Sequence, residues 1–315
     1  METEKQYLAF DIGGTKLAIG VVNWSGTILH KEILYPDLEK GKDFYFEAMI
    51  EKAKEVLRKF PQIDKIGISS CGPLDSRQGL LLDPTNLLSQ GKGWGSVPLK
   101  DMLEKALRKV VFLENDAACA VLAERHFGVG KTLSCDNLIM LTLGTGLGVG
   151  ILCNGTLVRG GRHLHPEAGH LIIQYEGSKR QCACGVSGDA ESYLSGKHFE
   201  AEFCHEYELA SPLSALEITK LARMGDERAK DSFNRYAQAL AVTLHNLCVL
   251  FYPEVIVFDG GFARSFDEFS ELTRTYLRKL LYRRQGLDPK LMLSSLDNQS
   301  SLLGASYLCQ HTEIK

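Results

Sequence analysis

The 315 residues are 44% hydrophobic and 24% charged, and a chain of that length divides more readily into two cores than one. A formal net charge of −3 provides no field for nucleic acid or an anionic membrane, so any anionic ligand must be held by local geometry. Met1–Gln6 carry no basic, then apolar, leader pattern, and no segment reaches the ~20 apolar residues of a membrane helix; the nine cysteines, most of them single within apolar runs like Cys119, Cys153 and Cys248, suit a reducing cytoplasm rather than a disulfide framework.

The run YLAFDIGGTKLAIGVVNWSGTILHKEIL reads as strand, Gly-Gly turn, strand, Ser-Gly turn and strand, an antiparallel meander. Glu39–Phe60 places Phe44, Phe46, Met49, Ile50, Ala53, Val56 and Leu57 at helical spacing and predicts an amphipathic helix. Lys65–Ser70 predicts a buried strand. A loop rich in Gly, Pro and Asp follows, then a helix near Leu99–Lys109, the strand Val110–Leu113 and a helix over Asp116–Phe127.

The opening pattern then recurs in NLIMLTLGTGLGVGILCNGTLVRG, with Gly144-Thr145 and Gly155-Thr156 spaced nearly as Gly14-Thr15 and Gly26-Thr27 are. An irregular stretch leads to a long helix over Glu227–Phe251, the strand Glu254–Phe258 and further helices to Leu308. Gly-Thr turns are common, but both meanders also continue into alternating helix and strand. The expected fold is therefore α/β: two related lobes with mixed sheets facing each other across a cleft. Residues 1–117 with a C-terminal helix at about 300–315 form one lobe, residues 118–299 the other, and the hinge lies near 114–120.

Asp11-Ile12-Gly13-Gly14-Thr15-Lys16 closes the first strand. Two glycines allow backbone N–H groups to face an anion, and the Thr15 hydroxyl and Lys16 ammonium add phosphate donors. Asp11 is a hard oxygen donor able to hold Mg²⁺ directly or through water. Closing a hairpin is the plainer role of such a turn, and a strand rather than a helix follows it, so it is not a P-loop. Gly144-Thr145-Gly146 is its counterpart, and two such turns at equivalent places of two lobes would converge on one nucleotide.

The segments DIGGTK, GISSCGPLD, ENDAACAVLAE, LTLGTGLGVGI, HPEAGH, CACGVSGDAE and VFDGGF, in that order, resemble the ROK family of sugar kinases and sugar-responsive repressors, over residues 7 to about 308. The resemblance implies duplicated actin-like, RNase H-like lobes flanking a nucleotide and sugar cleft. It implies ATP and Mg²⁺ as cofactors, and a homodimer, since the family is often dimeric. Asp116 matches the family's catalytic base, taking a proton from the sugar hydroxyl as its oxygen attacks the γ-phosphorus, and Asn115 matches a sugar ligand. Capping of the helix by these residues is the alternative role, and the two can coexist. Ala118 departs from the family, which usually carries Asn there.

By the same resemblance Glu167, His170 and Glu191 clamp sugar hydroxyls, where otherwise they are loop polars. Gly72, Thr85 and Asn86 match positions around the sugar, or serve as turn residues. Gly260 and Gly261 let the backbone approach the adenosine, or form a simple strand-to-helix turn. His170, Cys182 and Cys184 match three ligands of a structural Zn²⁺ site, with Asp189 where the family has a third cysteine. A carboxylate oxygen can complete a tetrahedral site as a harder donor; otherwise the thiols are simply packed.

The implied activity is ATP-dependent phosphorylation of a hexose, glucose at its 6-hydroxyl first. N-acetylmannosamine, N-acetylglucosamine, mannose and fructose are alternatives, and the His165-Pro166 pair resembles some fructokinases. A sugar-sensing repressor would need a DNA-binding domain, and the first strand already starts at Tyr7. An actin-like ATPase would not need the HPEAGH and cysteine segments. The expected partners are a small sugar and ATP, without nucleic acid or membrane.

Overall fold

Apolar runs with β-branched and aromatic residues make strands of Gln6–Ile12, Leu17–Asn23 and Ile28–Leu34, paired antiparallel in sequence order. A computed structural model describes residues 4–84, 86–178, 180–284 and 286–310; Thr85 and residues 311–315, the tail of the expected C-terminal helix, lie outside them. Lys65–Ser70 and Val110–Asn115 join the other edge in parallel, giving the order Val110–Asn115, Lys65–Ser70, Gln6–Ile12, Leu17–Asn23, Ile28–Leu34. Position in the sheet explains composition. Leu17–Asn23 is buried along its whole length, whereas the edge strand Ile28–Leu34 alternates between half-buried and exposed residues.

Tyr45, Phe46, Met49, Ala53 and Val56 form the buried stripe of the helix Lys42–Lys59 and pack into the core with Phe10, Ile12 and Ile68. The predicted start at Glu39 is early by one break, since the helix begins at Lys42. Asp37 caps a short turn over Leu38–Lys40, and Gly41 at φ 91° separates it from the helix proper. The Gly/Pro-rich loop contains small ribbons, among them Leu74–Asp75 with Leu80–Leu82.

The helix Ser300–Leu308 is apolar nearly all round and lies against the helix Asp116–Phe127 and the strands of this first sheet. Gly304 permits the approach: a Cβ there would stand 1.9 Å from the carbonyl oxygen of Cys119.

The second sheet repeats the design. Leu147–Cys153, Leu138–Leu143, Val255–Asp259 and Lys290–Leu293 lie side by side, the first pair antiparallel and the next two parallel. Leu17–Asn23, Gln6–Ile12, Lys65–Ser70 and Val110–Asn115 have that same order and sense. The repeat seen in the Gly-Thr turns is thus a repeat of topology. The helix Glu227–Phe251, capped by the Asp226 side chain, packs on Phe266–Leu280, with Phe199, Phe233, Tyr236, Phe262 and Phe269 in mutual ring contact.

The chain forms two compact units, one of Met1–Lys131, Thr156–Pro166 and Gln299–Lys315, the other of Thr132–Gly155 and Glu167–Asn298. Sequence reading placed the first boundary at 117/118. The packing of Ser300–Leu308 on Asp116–Phe127 keeps that helix whole in the first unit, and the chain passes over at Lys131/Thr132 instead.

Candidate active site

In the first unit, register aligns Asp11, Ser69 and Glu114 across three parallel strands. At ~4.8 Å per strand, Asp11 and Glu114 stand roughly 10 Å apart. They lie at the carboxyl edge of the sheet, where α/β folds bind ligands. Asp11 accepts a hydrogen bond from the Ser69 hydroxyl at 3.2 Å. Beyond it the turn closes by Gly13 N–H donating to the Lys16 carbonyl at 3.0 Å, leaving Thr15 and Lys16 exposed. Gly14 lies against the backbone of Asn86, where a Cβ would come within 2.5 Å of the Asn86 carbonyl oxygen. Gly72 follows the strand Lys65–Ser70 and is half-buried.

Asn115 ends its strand and caps the next helix, its Oδ1 accepting from the N–H groups of Ala117 (2.9 Å) and Ala118 (3.2 Å). That occupies the carbonyl oxygen and leaves the amide NH₂ for a ligand. Asp116, half-buried in the first turn, accepts from Ala117 N–H at 2.8 Å through Oδ1. Helix capping thus uses the Oδ1 atoms of both residues. The Cys71 thiol is pushed up to about 12, first by burial and then by the charges of Asp116 and Asp11. Both carboxylates thus act on one small region of this unit.

Glu114 behaves differently from its neighbours. Its side chain is 1% exposed; it accepts from Asn115 N–H at 2.9 Å and forms an ion pair with Arg159, which also donates to the Ser76 hydroxyl at 2.9 Å. No sequence motif pointed to Arg159, because a single basic residue in LVRGG carries no periodic or spacing signal.

In the second unit, Gly144 N–H donates to the Gly146 carbonyl at 3.0 Å, closing a turn with Thr145 exposed at its tip. Gly260, at φ 97°, ends the neighbouring strand; its Cβ position falls 2.4 Å from the Leu143 carbonyl oxygen, so only glycine fits beside this turn. Space around the Cβ position of Gly261 is open. Glu191 reaches the same turn, accepting from Leu147 N–H at 2.9 Å through Oε2.

His170, Cys182, Cys184 and Asp189 come together, one ligand atom from each lying within 4.8 Å of the others. His170 Nδ1 is 2.8 Å from Asp189 Oδ2 and 3.7 Å from Cys182 Sγ, while Cys184 Sγ is 3.6 Å from Asp189 Oδ2. Burial pushes Asp189 up, but hydrogen bonds from His170, Cys182 and Ser192 outweigh it and hold the carboxyl below its usual range. Burial drives Cys182 upward, so it stays a thiol until a metal displaces the proton. Two sulfurs, an imidazole and a carboxylate within tetrahedral reach fit Zn²⁺, and these four residues would hold it.

Glu167 stands three residues before His170. Loss of solvent around its carboxyl raises it above the usual glutamate value, His170 pulls it partway down, and Glu191 adds to the rise. The structure thus brings together Asp11, the Gly13–Lys16 turn, Gly72, Asn86, Asn115 and Asp116 within the first unit. Within the second it groups the Gly144–Gly146 turn, Gly260, Gly261, Glu167, Glu191 and the cysteine cluster.

The ROK family model matches residues 7–312. The N-acetyl-D-glucosamine kinase of Escherichia coli O1:K1 / APEC is 33% identical over 284 residues, spanning 87% of this chain and 90% of its own. Among solved structures, the ROK hexokinase of Thermus thermophilus is 30% identical with a TM-score of 0.82, covering 97% of this chain and 99% of that one. A ROK family glucokinase of Streptomyces griseus, in complex with glucose and AMPPNP, is 27% identical with a TM-score of 0.79, covering 97% and 100%.

Proposed function

The chain belongs to the ROK family and is a sugar kinase, and we propose that it transfers the γ-phosphoryl group of ATP to the 6-hydroxyl of a glucose-type hexose, with Asp116 as general base. The observation that carries this reading is the carboxyl edge of the first sheet. One row of parallel strands ends in both the Asp11 turn and Asn115–Asp116.

On this reading Asn115 offers its amide NH₂ to the sugar, and Glu167, His170 Nε2 and Glu191 offer acceptors or donors to its hydroxyls. The hydroxyl oxygen attacks the γ-phosphorus, its proton passes to Asp116, and the bond to the β-phosphate oxygen breaks to release ADP. The backbone N–H groups and side chains of the Gly13–Lys16 and Gly144–Gly146 turns meet the phosphates. Mg²⁺, when bound with ATP, neutralises charge on the phosphate oxygens, and Asp11 is the hard donor that would hold it. N-acetylglucosamine is a second reading, favoured by the 33% identity to kinases named for that sugar.

A coupled ADP-release assay over glucose, N-acetylglucosamine, N-acetylmannosamine, mannose and fructose tests the acceptor. Highest kcat/KM on glucose supports the first reading, on N-acetylglucosamine the second, and no turnover on any of them defeats both. Asp116→Asn should lower kcat by about 10²–10⁴ while sugar still binds; turnover near wild type would remove Asp116 from the base role.

A further inference from the structure

The turn Gly144–Gly146 has two glycines in three residues, so left to itself it would sample many backbone conformations. The segment Glu191–Gly196 grips it from both sides. At one end Gly196 N–H donates to the Gly144 carbonyl at 2.8 Å. At the other the Glu191 carboxylate takes the Leu147 N–H at 2.9 Å and stands where a Cβ on Gly146 would come within 2.6 Å of Oε2. The second carboxylate oxygen accepts from the Cys182 thiol at 3.3 Å. One side chain thus spans the gap between the cysteine loop and the turn.

We propose that Glu191 is a positioning residue for the nucleotide, fixing the Gly144–Gly146 turn in the form that receives phosphate, in addition to the sugar contact that its place in the family pattern implies. The proposal rests on the reading that this turn binds ATP. A turn ordered before the ligand arrives spares the ligand that ordering cost, and affinity rises accordingly. The first unit constrains its own turn comparably, through the Asn86 carbonyl packed on Gly14. In each unit, then, a segment matched to sugar binding touches a glycine of the phosphate turn. Through Glu191, occupancy of the sugar site and affinity for nucleotide become linked.

The test is calorimetric titration of a non-hydrolysable ATP analogue with Mg²⁺ into the whole protein, without sugar. Wild type should bind; if it does not, the kinase reading itself fails. Glu191→Ala should weaken binding about tenfold, equivalent to ~1.4 kcal/mol. Glu191→Gln keeps an oxygen for Leu147 N–H and should stay within about twofold of wild type, though its sugar KM rises as in the alanine variant. A residue serving sugar alone would show no such split. Gly146→Ala pushes the carboxylate out of place and should match Glu191→Ala, which keeps the test usable if that variant folds poorly. Unchanged analogue affinity in Glu191→Ala or Gly146→Ala, or a Gln variant as weak as the alanine one, overturns the proposal.

Discussion

Replacing Arg159 with alanine strips its cation from a carboxylate that is 1% exposed. Glu114 would keep the neutral N–H donor of Asn115 at 2.9 Å. Breaking a buried ion pair from one side costs about 3–5 kcal/mol. Arg159 retains 18% exposure, so water can enter the vacated space, and a loss near or just below the bottom of that range, about 2–3 kcal/mol, is expected. Glu114→Gln in the same background removes the stranded charge and should recover part of the loss, giving a coupling energy of at least ~1 kcal/mol in the double-mutant cycle. Trp24 and Trp94 are the only tryptophans and both belong to the first unit, so urea unfolding followed by tryptophan fluorescence reports this unit alone. Asn115 and Asp116 follow Glu114 directly, and kcat should fall alongside. An Arg159→Ala protein within about 0.5 kcal/mol of wild type, or strictly additive variants, would refute the reasoning.

Gly304→Ala places a methyl 1.9 Å from the Cys119 carbonyl oxygen, and forced separation of the two helices should cost about 2–3 kcal/mol, read in the same urea experiment; an unchanged midpoint contradicts the close packing. Purified protein should carry about one zinc per chain, and cobalt exchange should produce thiolate charge-transfer absorption that Cys182→Ser weakens and Asp189→Cys intensifies; stoichiometric metal without sulfur bands would move the site elsewhere. Glu167 titrates above the ordinary 4.5, so the free fold favours its protonated form, and its share of stability, full below that ordinary value, is lost as pH rises through the folded value. A sugar hydroxyl donating to the carboxylate opposes that loss. The thermal shift produced by saturating sugar should therefore grow with pH above about 4.5, and Glu167→Gln should show a small, flat shift across that window; a flat wild-type response removes Glu167 from the sugar.

Much of the scaffold was legible where local chemistry and tertiary demand agree. The helix Asp116–Phe127 matches its expected bounds because Asn115 is a good cap and Gly128 ends the run. The meanders were legible because both strand period and turn chemistry mark them. The first unit's boundary was not, since it depends on Gly304 letting a distant helix settle on Asp116–Phe127. No hydropathy window contains that contact. The Arg159–Glu114 pair was equally hidden: its members lie 45 positions apart, and neither is unusual by type. Glu191 was singled out by family pattern for one role, while its bond to Leu147 N–H is a fact of folding that no motif encodes.

The helix Ser300–Leu308 lays Leu302, Leu303, Ala305 and Leu308 out of solvent in the first unit, yet it is translated long after the strands it covers. Synthesis proceeds at roughly 5–20 residues per second, so the helix Asp116–Phe127 waits about 10–35 s for its partner. Throughout that interval an apolar flank of the nascent first unit stands uncovered, while the strands and helices of Glu167–Asn298 have time to assemble among themselves.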